Sequence, residues 1–552
     1  MSGQENLAPA TGPMRTLKAV IALLVLNAFL SMTNWWPTPF VELDKRIAPE
    51  FVLLWIALLL LVWRRGVLGP RLIALLTWVY LLLVTGRYFD TTTPALFGRD
   101  INLYWDALQI PRVVWVSLKS YPLWIALLVP AAVMALLWLI YQALRVSITV
   151  AARDAAPYAL RSRWALLVTG AALILITANY GGVRATWPVV SKPVLPTYLR
   201  QVNLLVTSFA ARKLDSVLPP SPPFQSDLAA LGGADVEFFF LESYGIVAFN
   251  KPAAYAQLKP ARDALAAQIA ASGKQVVSAY VRSTTFGGGS ELAHLALLTG
   301  IDTGNPSLHD VMLTTKRPTL ISLFRERGYE THGLYPALTW DWPEKAFYGF
   351  DKFTDARGLG YTGPKLGYWS VPDQFALARY AQLHPLTPAS PKRLLFFASI
   401  TSHLPFHPVP PYQPDWQKLL SLAPFDAAQM AKVDAQKVDW LNMFPGYVGM
   451  MEYNYQWLAG YLAQPRARDS LLILLGDHQP AANVTGEGAS WDVPVHIISA
   501  HPALLQRFLA RGFRPGLEPT LPQIGALFNL TSVLMDAFDS AAATPARVAS
   551  RP

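Results

Sequence analysis

Cysteine is absent from the 552 residues. That excludes disulfides, a cysteine nucleophile and a cysteine-ligated metal, and leaves the cellular compartment open. Charge is scarce as well. Asp, Glu, Lys and Arg make up 15% of the chain, against 53% hydrophobic residues. A soluble protein carries about 25% charged residues, so part of this one is expected in lipid. The net charge is +10, yet no basic-aromatic motif accompanies it, which argues against a nucleic-acid partner. The basic residues sit instead beside apolar runs, as membrane-flanking charges do.

Five apolar segments fill the first third of the chain: 19–32, 47–63, 72–86, 123–144 and 164–180. A span needs about 20 apolar residues. The fourth meets that alone, and the others borrow flanking residues. The second and third read as a hairpin around Arg64, Arg65 and Arg71. The first lacks a small-residue cleavage site and lies too far from the terminus for a cleaved signal peptide. Arg15 and Lys18, the hairpin arginines, and Arg145, Arg153, Arg161 and Arg163 fall on alternate loops. With these loops cytoplasmic, an odd number of spans places everything after Tyr180 outside the cytoplasm. The stretch 88–121, rich in aromatics and prolines, reads as a loop, either a connector or a segment lying along the outer interface.

The expected domains are a five-helix transmembrane domain over 1–180, a linker over 181–233, a globular α/β domain over 234–540 and a disordered tail over 541–552. Within the linker, Leu199, Val202, Leu205, Phe209 and Leu214 recur near helical spacing between proline clusters. They predict an amphipathic helix over 198–217 that lies on the membrane or packs on the following domain, the latter favoured. In the globular part, strand patterns at 236–241, 275–281, 330–335, 394–400, 471–475 and 493–498 alternate with helix patterns at 254–272, 319–326, 373–382, 448–462 and 504–511. Such alternation predicts a mostly parallel sheet flanked by helices. Ligands in that architecture bind outside the carboxyl ends of the strands.

Two of those strand ends carry candidate ligands. Glu242 follows Phe238-Phe239-Phe240-Leu241, and a carboxylate after such a run is costly to bury unless paired or bound to a cation. Asp477 and His478 follow the run 471–475 and Gly476. Between them Ser290 comes after Gly287, Gly288 and Gly289, and opens a helix-like run to Thr299-Gly300. As an N-cap it would satisfy backbone donors. The same position suits a nucleophile. Backbone amides and the helix dipole can hold a phosphate there, glycines let a bulky anion approach, and a dication would lower the hydroxyl's pKa. His294, four residues on, shares its helical face and could touch substrate or a second ion. Three oxygens and one imidazole suit a divalent metal, Mn or Zn, with Mg a further possibility.

Glu242, Ser290, the Thr299-Gly300 pair and Asp477-His478 together resemble the alkaline phosphatase and sulfatase superfamily. Within it they resemble the membrane-anchored phosphoglycerol (or phosphoethanolamine) transferases of the lipoteichoic acid synthase type. The likeness spans residues 236 to 500, and the five-span anchor is similar too. It implies an alkaline phosphatase-like fold and metal ligation by Glu242, Ser290, Asp477 and His478. In sulfatases and nucleotide pyrophosphatases the nucleophile lies ten residues before that glycine, which falls on Ser290; the pyrophosphatase pattern also places a histidine where His294 stands. In the synthase type a threonine lies slightly earlier. That count falls on Gly287, so Thr285 is the second candidate nucleophile. The resemblance further implies a substrate-phosphate or leaving-group role for His403, in Thr401-Ser402-His403-Leu404-Pro405-Phe406-His407, and substrate contacts for Trp340 and Trp342, although an expected arginine beside them is missing. Leu292 and His294 replace the Pro and Arg of formylglycine sulfatases, which argues against that chemistry. The implied activity is metal-dependent transfer of a phospholipid head group to an envelope glycan through a covalent Ser or Thr intermediate. The bilayer, a phospholipid donor and a glycan acceptor are its partners, and the implied location is a bacterial inner membrane, multi-pass, with the catalytic domain facing the periplasm. A membrane-anchored phosphoester or sulfate-ester hydrolase and a non-enzymatic scaffold are the alternatives.

Overall fold

The computed structural model describes residues 13–120, 122–180, 189–211, 218–339, 342–364, 366 and 371–540. Trp340 and the tail 541–552 lie outside them. The chain forms two compact units, Met1–Ala95 with Asp100–Val206, and Leu96–Arg99 with Thr207–Pro552.

The first unit is helical. All five apolar segments form helices: α1 Pro13–Ser31, α2 Pro49–Arg65, α3 Pro70–Phe97, α5 Leu123–Val150 and α7 Arg163–Tyr180, with α4 Leu103–Ser120 and α6 Ala156–Arg161 between them. A π-helical turn, Ala151–Ala155, joins α5 to α6. Leu26, Leu30, Leu58, Tyr80, Val84 and Ile148 form the shared core. α2 shows how composition sets the ends. Pro49 starts it, where its missing N–H costs nothing, and Gly66 ends it at φ +69°, beside Arg64 and Arg65 in the last turn.

Two stretches are long and apolar enough to cross a membrane, Pro70–Phe97 and Leu123–Arg161. The expectation of five spans is thus met in helix positions, but length and hydropathy support a crossing at two. A second correction concerns 88–121, which is helical over most of its length. α3 runs through Pro94 to Phe97, and α4 contains Pro111. A proline inside a helix removes one hydrogen bond; around Pro94, Arg87, Asp90, Thr92, Thr93 and Ala95 of α3 are buried. The amphipathic helix is α8, Leu195–Ala211. Its first turns are tied within the first unit. Glu50 Oε1 accepts the Val194 and Leu195 amides at 2.6 and 3.0 Å, Asp90 Oδ1 accepts the Thr197 hydroxyl at 2.7 Å, and Gln201 Nε2 donates to the Ile101 carbonyl at 2.8 Å.

The second unit is built on an eight-stranded sheet: β1 Asp235–Leu241, β2 Gln275–Arg282, β3 Glu330–Tyr335, β4 Lys352–Asp355, β5 Arg393–Ala398, β6 Ser470–Gly476, β7 Asp492–Ser499 and β8 Arg514–Pro515. Their order is β8-β2-β7-β6-β1-β5-β3-β4. The run β6-β1-β5-β3-β4 is parallel, while β7 is antiparallel to both β6 and β2. Helices α9 Pro252–Ala271, α10 Ser290–Thr299, α11 Leu320–Glu326, α12 Asp373–Leu383, α13 Phe444–Leu462 and α14 Pro502–Leu509 surround it.

β1 is buried along its whole length because side chains alternate between two cores. Phe238 and Phe240 face one, with Phe396, Ile473 and Leu475. Phe239 and Leu241 face the other, with Phe397, Leu472 and Leu474. Each such side chain contributes about 1.5–3 kcal/mol of burial. β1 and β6 are neighbours in register, Leu241 opposite Gly476. The next residue on each is therefore Glu242 or Asp477, on the same rim.

Candidate metal centre

Register alone brings Glu242 beside Asp477, and the turn after each strand does the rest. Ser243 adopts a left-handed conformation, φ +59°, so its amide points back and donates to Asp477 Oδ1 at 2.8 Å. The His478 amide donates to the same oxygen at 2.6 Å. The His478 ring donates from Nδ1 to the Gln479 carbonyl at 2.7 Å. That bond selects the tautomer and turns Nε2 toward the carboxylates. Nε2 lies 3.3 Å from Glu242 Oε1 and 3.7 Å from Asp477 Oδ2. The close approach of the two turns requires glycine at 476, where a Cβ would stand 1.8 Å from the Tyr244 carbonyl oxygen.

The nucleophile loop enters from β2, which points the same way as β6. The Gln479 carbonyl that fixes His478 also accepts the Gly287 amide at 3.0 Å. Gly289, at φ +83°, takes the N-cap position of α10, and Ser290 begins the helix. The hydroxyl of Ser290 is thereby released from capping. It donates to Glu242 Oε2 at 3.0 Å and lies 3.2 Å from His478 Nε2.

Glu242, Asp477 and His478 are the one group of metal-ligating side chains found among the described residues. Their spacing fits a cation. Donors held at about 2.0–2.1 Å around a tetrahedral ion stand roughly 3.3 Å apart. The contacts of 3.0, 3.2, 3.3 and 3.7 Å bracket that value. Charge fits too. Burial raises the Glu242 carboxyl, but the adjacent His478 imidazolium outweighs it and holds the group well below the usual carboxylate range. Burial and the Glu242 charge push Asp477 up. Burial lowers His478, yet the two carboxylates raise it to about 9. A proton on His478 Nε2 thus sits where a cation would.

Other candidates are placed as follows. Thr285 is buried and its hydroxyl donates to the Gly288 carbonyl, which commits it to shaping the loop. His403 is half-buried, donates from Nδ1 to the Leu404 carbonyl at 2.6 Å, and its charge acts on Glu242. His294 is 1% exposed and its ring packs edge-on against Phe240 and Phe396, with centroids 4.5 and 5.4 Å away. Burial pushes it down to about 3. Sharing a helical face with Ser290 places it one turn further along α10, within the field of Glu242 and His478. Trp342 is also in the core, beside Tyr335, Tyr348 and Phe353.

A supporting layer went unrecognised in the sequence. The Ser399 hydroxyl accepts the Glu242 amide at 2.9 Å, and the Ser402 hydroxyl donates to the Glu242 carbonyl at 2.7 Å. Asp373 accepts the Ile400 and Thr401 amides, both at 2.9 Å, which steadies the loop carrying His403. Serines and an aspartate at strand and helix ends are too common to signal this. Their position after β5, beside β1, is the observation that carries meaning.

Residues 274–499 match the family model described as Sulfatase. The match includes Ser290, Asp477 and His478, while Glu242 precedes it. No curated protein matches the sequence. Among solved structures, the chain is similar to the lipoteichoic acid synthase LtaP from Listeria monocytogenes at 14% identity, over 60% of this chain and 77% of that one, TM-score 0.35. It is similar to the zinc complex of the periplasmic domain of EptC from Escherichia coli at 15%, over 58% and 86%, TM-score 0.38. It is similar to the phosphoglycerol transferase GacH from Streptococcus pyogenes at 12%, over 61% and 89%, TM-score 0.34.

Proposed function

We propose that the sulfatase-family domain of this chain transfers a phospholipid head group, phosphoglycerol or phosphoethanolamine, to an envelope glycan through a covalent adduct on Ser290. One observation carries the reading. The Ser290 hydroxyl is freed from helix capping and lies within 3.2 Å of both Glu242 and His478. Glu242, Asp477, His478 and Ser290 would hold a divalent cation, Mn, Zn or Mg. When bound, that ion supplies Lewis acidity that lowers the hydroxyl's pKa and offsets charge on the phosphoryl oxygens.

The remaining work falls to the chain. Ser290 Oγ forms a bond to phosphorus while the bond from phosphorus to the diacylglycerol oxygen breaks. The Ser290 proton leaves along its hydrogen bond to Glu242 Oε2. His403, next to Glu242, is the candidate to protonate the departing oxygen. His403, now neutral, takes the proton of a glycan hydroxyl as that oxygen attacks phosphorus; the bond from phosphorus to Ser290 Oγ breaks, and Ser290 regains its proton from Glu242. The helices Pro70–Phe97 and Leu123–Arg161 support a lipid donor, since a site acting on a head group works at a bilayer surface. They also fit anchorage in a membrane; a bacterial inner membrane, multi-pass, with this domain on the periplasmic side, is part of the proposal. The test is release of diacylglycerol from labelled phospholipid, with peptide mass spectrometry for a head-group adduct on Ser290. Turnover of soluble nitrophenyl esters without lipid dependence would favour a hydrolase with water as final acceptor.

A further inference from the structure

We infer that Ser243, which nothing in the ligand pattern singles out, is a positioning residue for the metal centre; this deepens the proposed function and rests on its metal site. Three observations converge on it. Its backbone occupies the left-handed region at φ +59°, which a non-glycine residue holds at a cost when the surroundings over-determine it. That conformation aims its amide at Asp477 Oδ1, 2.8 Å away. Its hydroxyl donates to Glu242 Oε1 at 2.9 Å. One residue therefore binds both carboxylates of the cluster, once through the main chain and once through the side chain.

The consequence is orientation. With Oε1 held by Ser243, Glu242 Oε2 faces Ser290. With Oδ1 taken by the Ser243 and His478 amides, Asp477 Oδ2 is left toward His478. Ser243 is 3% exposed, so water is poorly placed to replace its hydroxyl. Without that bond Glu242 gains rotational freedom, and the ligand set must be ordered when the ion binds. Residues in this supporting position typically change metal affinity 10–100-fold.

Ser243→Gly and Ser243→Ala separate hydroxyl from backbone. Both keep the amide bond to Asp477. Glycine also relieves the left-handed conformation, so the metal-free Ser243→Gly protein should melt at or above the temperature of the Ser243→Ala protein, with both below wild type for want of the hydrogen bond to Glu242. A residue serving stability alone would show nothing else. Here Mn²⁺ affinity, measured by calorimetric titration of the metal-stripped full chain in detergent, should fall 10–100-fold in both variants. Turnover should return toward wild type at saturating Mn²⁺. His478→Ala is the control for the site itself and should abolish stoichiometric binding. If wild type binds one ion, His478→Ala binds none, and both Ser243 variants bind within twofold of wild type, the inference is wrong while the metal site stands. If wild type binds no stoichiometric ion, the site reading fails and takes this inference with it.

Discussion

Metal binding to this centre must displace a proton, and the structure sets how many. His478 donates from Nδ1 to the Gln479 carbonyl, so Nε2 is the ligand atom and must be deprotonated to bind. Two buried carboxylates raise its pKa to about 9. At pH 7 about 1% of the metal-free protein then has His478 neutral. The proton lowers apparent affinity about 100-fold relative to high pH, or roughly 3 kcal/mol, at 1.36 kcal/mol per pKa unit. Affinity should rise about tenfold per pH unit between 7 and 9 and level off above. Below 7 the slope should steepen, because Asp477, also pushed up, gives up its own proton. Titration of the stripped protein with Mn²⁺ in two buffers of different ionisation enthalpy reads the proton count directly. About one proton per ion is expected near pH 8. Stability follows with its own sign. A raised His478 pKa stabilises the metal-free fold fully below its ordinary value of 6.5 and loses that contribution as pH climbs through about 9. Asp477 acts in the same direction. The lowered Glu242 does the opposite, contributing above its ordinary range and failing only in strong acid. The metal-free melting temperature should therefore fall between pH 6.5 and 9 while that of the loaded protein holds. Affinity that is flat from pH 7 to 9, or binding without proton release, would refute the assignment of Nε2 as ligand.

Ser290→Ala should lower diacylglycerol release at least about 10³-fold and remove the mass adduct, whereas Thr285→Ala should retain activity within about tenfold, since its hydroxyl is spent on Gly288; the reverse pattern would move the nucleophile to Thr285. Trp342→Ala should destabilise by about 3–5 kcal/mol, as removal of a large core aromatic does, with KM for lipid unchanged in the folded fraction, as measured by denaturant unfolding beside initial rates. Gly476→Ala places a Cβ 1.8 Å from the Tyr244 carbonyl oxygen. It should cost at least about 3 kcal/mol, and any folded remainder should have lost metal affinity because Glu242 and Ser243 lead into that carbonyl.

What could be read in the chain before its structure divides along a physical line. The buried strands announced themselves, because a run such as Phe238-Phe239-Phe240-Leu241 reads as strand once it ends in a charge. All six expected strands are present; the two unforeseen ones in the eight-stranded sheet, Lys352–Asp355 and Arg514–Pro515, are short edge pieces with no apolar run to betray them. Glu242, Asp477 and His478 were legible for the same reason, being costly residues placed where an apolar run stops. Their convergence needed only that β1 and β6 be neighbours, which the α/β pattern allows but does not dictate. For His294 and Trp342, spacing reports which face a residue shares and says nothing of depth; both are buried. The prolines at 94 and 111 suggested a loop where the chain is helical. Ser243 left no trace at all: its identity is ordinary, and its role lies in a backbone angle. Residues that bind an ion must be chemically conspicuous, so sequence exposes them. Residues that aim the ligands need only occupy the right place, and only coordinates reveal those. If that distinction holds here, the ligand variants should lose the metal outright, and Ser243, Ser399 and Ser402 variants should keep it at lowered affinity.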